Sequence, residues 1–373
     1  MELKLLFIED DKELRDNLKE LFHDASIADY KLKVQVEESF ERGRELIKKS
    51  DFNIVILDLF KDGDQTDEDA GIKVLSTIRE FLFVPVIFYT GHAYKIINYK
   101  SEVVGVVNKG DGIEALSSEL ERIIKSKLAL LRQNINEHIN KELKDYFWET
   151  VDKQKAIFNT GNIDYSLGYL ILRRIATSLS KENIKIILGD DKISAEKVHP
   201  MEFYLFPPSE REYEAGDILE KEGNYFTILT PDCDMILRSN GLRKAGWVLL
   251  ASVDNFKSLQ DFIKYSKLRG KQEKTEDENR QLSNLEGKLK KWMSNRGGEQ
   301  DRYFFLPSTP FIENMVIDFQ KKIMVKYDDL KLYRRVAKLD MPFAQSMISS
   351  FIRYYNRVGF PDIDVDYVFQ RLH

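Results

Sequence analysis

The run I-V-I-L-D-L, residues 54 to 59, constrains this chain most. A short, unbroken apolar stretch fits a strand covered on both faces. This one stops on a carboxylate, Asp58. Three other runs end in the same manner. L-L-F-I-E-D-D closes on Glu9, Asp10 and Asp11, V-P-V-I-F-Y-T-G on Thr90, and V-V-G-V-V-N-K-G on Lys109. Strands of this kind belong to a doubly wound α/β sheet, whose carboxyl ends form one rim where ligands bind. A single Asp at such an end can merely cap the next helix. Four polar strand ends meeting in one crevice ask for chemistry.

Carboxylates about 4 Å apart repel by roughly 4 kcal/mol at an effective dielectric near 20. Glu9, Asp10 and Asp58 would therefore share a pocket only around a cation. Mg2+ suits them, because it takes one or two carboxylates, keeps several waters and leaves room for phosphate oxygens. An ionised Asp58 beside it could attack phosphorus and form an acyl phosphate. Thr90 would hydrogen-bond one phosphoryl oxygen and Lys109 would pair with another.

With these residues in this order, Met1 to about Lys127 resembles the receiver domain of two-component response regulators. The likeness rests on the acidic pair Glu9 and Asp10, the phosphoacceptor Asp58, the hydroxyl of Thr90, Lys109, and G-I-E-A-L-S-S-E-L opening the last helix. It implies a five-stranded parallel sheet in the order 2-1-3-4-5. It also implies Mg2+ held by Glu9, Asp10, Asp58 and Phe60, with Asp58, Thr90 and Lys109 in the catalytic roles. A sensor histidine kinase would supply the phosphoryl group, and the domain would catalyse its own phosphotransfer and slow dephosphorylation. Three features depart from the pattern. Gly110 follows Lys109 where the family usually has Pro. Val106 stands where an aromatic switch residue is common, so the usual Thr-to-aromatic relay cannot run as written. The loop F-K-D-G-D-Q-T-D-E-D-A-G delays the Gly to position 71 and reads as a solvated acidic loop.

At 373 residues the chain has room for two or three domains. A composition of 43% hydrophobic and 32% charged residues permits sizeable cores. A net charge of −5 with no basic tail gives no bulk attraction to nucleic acid. One cysteine, Cys233, excludes an internal disulfide. No signal peptide is read at the start, and no run approaches 18 apolar residues, so a cytoplasmic protein without a membrane partner is expected.

Helices are expected over residues 12–23, 39–50, 71–83 and 92–100, with a strand over 31–36. His92 reads as an exposed loop imidazole. From Ile113 apolar residues recur every three or four positions to Phe147, without Gly or Pro before Gly161. This is one long amphipathic helix or two nearly collinear ones, and 40 such residues would span roughly 60 Å. It either forms a coiled coil that joins two copies as a homodimer or folds back onto the rest of the chain. A second helix over 163–179 could complete a hairpin. Residues 1–127, 128–183 and 184–373 thus divide into receiver, helical linker and α+β domain.

In the last region, short runs at 201–206, 217–219, 224–230, 246–253, from Tyr303 and at 315–325 suggest a small antiparallel sheet or barrel. A charged helical stretch, 255–300, is inserted between them. Its basic residues Lys264, Lys267, Arg269 and Lys271 are interleaved with acids and read as a solvated face. Cys233 in T-P-D-C-D has no His/Cys company for a metal and reads as a buried or half-buried structural thiol. The closing helix should turn Phe343, Met347, Phe351, Ile352 and Tyr355 to the core. No P-loop, cyclase or phosphodiesterase motif and no recognition helix appears. The expected function is a response-regulator-type switch, phosphorylated on Asp58 and acting through its C-terminal domain. A phosphate sink for a shared kinase, or an enzymatic or nucleic-acid-binding output, are the alternatives.

Overall fold

The structure is a computed structural model and describes residues 2–60, 70–81, 83–154, 163–179, 181–189, 197–208, 212–295, 302–356 and 362–372. Most of the acidic loop after Phe60, residues 61–69, lies outside the described residues. The chain forms two compact units, Met1–Ala195 and Glu196–His373.

In the first unit, β1 (Glu2–Ile8), α1 (Lys12–Phe22), β2 (Ser26–Ile27), β3 (Tyr30–Glu37), α2 (Phe40–Lys49), β4 (Ile54–Leu57), α3 (Ala70–Phe81), β5 (Val86–Thr90), β6 (Val104–Asn108) and α4 (Ile113–Lys125) follow in order. The sheet runs β2-β3-β1-β4-β5-β6. Five strands are parallel, and β2 adds a two-residue antiparallel edge that the sequence reading lacked. Alternation decides the layers. Leu3, Leu5, Phe7, Ile54, Ile56 and Ile87 meet α1 and α4 on one face. Leu6, Ile8, Val55, Leu57, Val86 and Phe88 meet α2 and α3 on the other. Both faces being covered explains why these strands read as continuous apolar runs.

One helical expectation needs correction: residues 92–100 form two short 3-10 turns, Ala93–Lys95 and Ile97–Tyr99, in place of an α-helix. The stretch from Ile113 is two helices and not one: α4 ends at Lys125, Lys127 takes a left-handed conformation with φ 65°, and α5 runs Leu128–Asp145. The start of α5 packs at the amino edge of the sheet, where Asn53 accepts from Lys4 N at 2.9 Å and donates to Ala129 O at 3.1 Å. Beyond it, α6 (Ile163–Ser178) and α7 (Lys181–Leu188) fold back on α5. Asn134 donates to Ile187 O at 2.7 Å, and His138 meets the Ser178 hydroxyl at 2.9 Å. The chain's own helices thus occupy the inward positions of α5.

The second unit is a seven-stranded antiparallel sheet, β11-β12-β10-β9-β8-β13-β7. Its strands are β7 (Tyr204–Leu205), β8 (Asp217–Lys221), β9 (Asn224–Ile228), β10 (Trp247–Asn255), β11 (Tyr303–Leu306), β12 (Met315–Lys326) and β13 (Arg334–Leu339). Sequence reading missed β13, because R-R-V-A-K-L hides its alternation under long charged side chains. The inserted helices Gln260–Arg269 and Glu276–Met293 fall between β10 and β11. The helix Phe343–Tyr355 covers one face, with Met347 fully buried. Ile352 and Tyr355, expected in the core, are 56% and 50% exposed. Cys233, expected at least half-buried, is exposed on the short helix Asp232–Met235, whose buried anchor is Met235. Among the described residues, no helix is long and apolar enough to cross a membrane.

Candidate functional site

The carboxyl ends of β1 and β4 lie side by side, with Ile8 opposite Leu57, and Asp58 N donates to Ile8 O at 3.1 Å. The residues that follow, Glu9 and Asp58, therefore emerge together. The carboxylates of Glu9, Asp10 and Asp58 each place an oxygen within 4.8 Å of the other two. Lys109 follows β6 and reaches across the end of β5. Its ammonium lies 2.6 Å from Asp58 Oδ2 and 2.9 Å from Glu9 Oε2. Glu9 is almost wholly buried, and burial pushes its carboxyl up to about 7, against the opposing pull of Lys109. Burial alone would lower the Lys109 ammonium; its hydrogen bonds to Asp58 and Glu9 outweigh that and hold its pKa above the ordinary value.

Thr90 ends β5 and is fully buried, its hydroxyl oxygen accepting from His92 N at 3.3 Å. Among the described residues no hydrogen bond joins it to Asp58; the rim brings Glu9, Asp10, Asp58 and Lys109 together and sets Thr90 on the neighbouring strand end. Phe60 has no side-chain ligand atom, so only its main-chain oxygen could serve a cation. Its ring meets His92 edge-on at 4.7 Å and carries Lys95 Nζ at 4.6 Å from its centre. Gly71, at the start of α3, is required for close approach, since a Cβ there would collide with the Asp58 carbonyl oxygen and Leu59 Cα.

Asp11, third in the acidic run, is a helix cap: its side chain accepts from Leu14 N at 3.0 Å. Sequence reasoning missed Arg15. Its guanidinium is nearly buried and donates to Glu9 O at 2.8 Å and Asp10 O at 3.1 Å, fixing the backbone that presents both carboxylates. The signal was available, because Arg15 shares the inward stripe of α1 with Leu18 and Phe22 at helical spacing. A charge on such a stripe needs a partner.

The donor set fits a hard cation: three carboxylates, all oxygen, offset by one ammonium. Several solved structures are similar to this chain over about a third of its length. One is the response regulator protein TrrA from Thermotoga maritima, in complex with Mg2+ and BeF, at 19% identity and TM-score 0.28, covering 32% of this chain and 98% of that one. Another is a response regulator receiver domain protein from Clostridium thermocellum, at 21% identity and TM-score 0.27, covering 34% and 98%. A third is the receiver domain of Francisella response regulator 1452, at 18% identity and TM-score 0.25, covering 34% and 95%. No family model and no curated protein matches the chain.

Proposed function

We propose that the first unit is a phosphoacceptor module that takes a phosphoryl group onto Asp58 from a sensor histidine kinase. The observation that carries this reading is the packing of the Glu9, Asp10 and Asp58 carboxylates within 4.8 Å of one another, with Lys109 Nζ 2.6 Å from Asp58. Like charge gathered at the carboxyl end of the sheet suits a cation and an anionic group as ligands. Glu9, Asp10, Asp58 and the main-chain oxygen of Phe60 would hold Mg2+, which when bound neutralises charge on the transferring phosphoryl group.

An Asp58 carboxylate oxygen attacks phosphorus of a phosphohistidine, the P–O bond forms, the P–N bond breaks, and its electron pair leaves on the imidazole nitrogen. The Thr90 hydroxyl donates to one phosphoryl oxygen, and Lys109 moves its charge from Asp58 to another. Phosphorylation adds about 1.5 to 2 negative charges at this rim. The loops bearing Thr90 and Lys109 would then shift, and the second unit would act as the output.

A specific observation favours a second reading, a phosphate sink for a shared kinase. Val106 packs in the strand core where a switch aromatic would stand, so the usual signalling side chain is missing. The test is to treat the wild-type chain and Asp58→Asn with a small phosphodonor and Mg2+ and weigh the intact proteins. A phosphoryl adduct on wild type alone supports the reading. The same adduct on Asp58→Asn, or none on either, overturns it.

A further inference from the structure

Two cationic side chains serve the rim of Glu9, Asp10 and Asp58, and they grip it differently. Lys109 bonds carboxylates, its ammonium 2.6 Å from Asp58 Oδ2 and 2.9 Å from Glu9 Oε2. Arg15 bonds main chain: its Nη1 donates to Glu9 O at 2.8 Å and to Asp10 O at 3.1 Å, while Nη2 reaches Glu38 Oε2 at 3.4 Å. Among the described residues, none of its hydrogen bonds ends on a rim carboxylate.

The turn from β1 into α1 is three residues long, Glu9 to Asp11. Glu9 N donates to Glu37 O at 3.0 Å, which ties the start of the turn to the end of β3. At the other end Asp11 caps α1. The peptides between those ties are held by the guanidinium, and its bond to Glu9 O is buried. A buried main-chain oxygen that loses its donor turns to find another. The turn would move with it.

That movement matters because three carboxylates have to meet within 4.8 Å before a cation arrives. Like charges at such a separation push the turn away from Asp58. Mg2+ demands near-ideal octahedral geometry, so a turn that has swung out must be drawn back at the expense of binding energy. A turn already fixed in place needs no such correction.

We infer that Arg15 is the positioning residue of this rim: through their main chain it presents Glu9 and Asp10 to a divalent cation, and so sets the affinity with which Mg2+ is captured. The inference rests on the proposed role of the rim as a Mg2+ site. It fixes the sign of an effect that charge alone would reverse. Removing a positive charge beside a cation site favours the cation, and that is the outcome for a group such as Lys109, which bonds the carboxylates themselves. Removing a side chain that orients metal ligands weakens binding, by about 10- to 100-fold.

Calorimetric titration of Mg2+ into the full chain tests it, with Arg15→Ala, the bulkier neutral Arg15→Gln, Arg15→Lys, and Asn53→Ala as a control. Asn53 makes its hydrogen bonds at the opposite, amino edge of the sheet, so its variant separates general destabilisation from lost positioning. The Mg2+ dissociation constant should rise about 10- to 100-fold in Arg15→Ala and Arg15→Gln and stay unchanged in Asn53→Ala. Arg15→Lys should regain part of the loss, since an ammonium can donate to the same oxygens. Phosphorylation of Asp58 by a small phosphodonor should slow in both neutral variants at low Mg2+ and recover at saturating Mg2+. Circular dichroism matching wild type certifies each variant as folded, and either neutral variant suffices for the comparison. Unchanged or tighter Mg2+ binding by a folded neutral variant overturns the inference, as does an equal loss in Asn53→Ala. A wild type that binds no Mg2+ overturns instead the reading of the rim on which it rests.

Discussion

Replacing Lys109 by alanine should tighten Mg2+ binding while abolishing the response to phosphate. Lys109 Nζ sits 2.6 Å from Asp58 and 2.9 Å from Glu9, holding two carboxylates that lie within 4.8 Å of each other. Two unit charges at that separation repel by about 3.5 kcal/mol at an effective dielectric of 20, and by about 1 kcal/mol in bulk water. The side chains of Lys109, Glu9 and Asp58 are only 24%, 4% and 13% exposed, so the value lies toward the first figure. Without the ammonium this repulsion stays in the metal-free protein wherever Glu9 is ionised, above a midpoint that the loss of Lys109 itself raises, and is relieved when a cation binds. Mg2+ affinity should therefore rise by about 5- to 400-fold, toward the upper end of that range. The melting temperature of Lys109→Ala should fall without Mg2+ and recover with it. Calorimetric titration of Mg2+ into both proteins, at a pH above the Glu9 midpoint, gives the comparison. Equal or weaker binding by Lys109→Ala would show that the ammonium is not what neutralises the rim.

Three further outcomes are expected. Burial keeps Glu9 protonated up to about pH 7, and Mg2+ takes the ionised form, so affinity should decline toward tenfold per unit below about pH 7 and level off above it; titrations at several pH values would read this directly. In the second unit, Asp217 is fully buried beside Arg335, and desolvation raises its carboxyl to about 6 against the pull of that guanidinium. The unfolded carboxyl ionises near 3.9, so the unfolded chain releases this proton first. Stability should fall as pH rises from about 4 to about 6, by up to roughly 3 kcal/mol, and stay level beyond. Urea unfolding across that window tests the sign, and Asp217→Asn should remove this component of the slope. Asn53→Ala strands Lys4 N and Ala129 O at the amino edge, which should cost about 1–3 kcal/mol in thermal or urea unfolding and leave phosphorylation of Asp58 intact.

Local pattern settled a good deal of this protein. Strands buried on both faces must be apolar throughout, so the runs ending on Ile8, Leu57, Thr90 and Asn108 were legible, and with them the polar residues at their tips. The caps Asp11 and Ser39 and the amphipathic faces of α1 and α2 are likewise short-range features. What the sequence left open depends on contacts between distant residues. That Lys109 bonds Asp58, 51 positions earlier, while Arg15 grips the backbone of Glu9 and Asp10, follows from strand order and side-chain reach. Whether the stretch from Ile113 was one helix or two stayed open, because S-K contains no helix breaker and the apolar spacing continues across it. The long-range contacts that hold α5 after the left-handed Lys127 are Asn53 to Ala129 O and Asn134 to Ile187 O on the returning α7. In the same way, a stripe of apolar residues shows that a helix needs partners; how many of its sides find one within its own chain is decided in three dimensions.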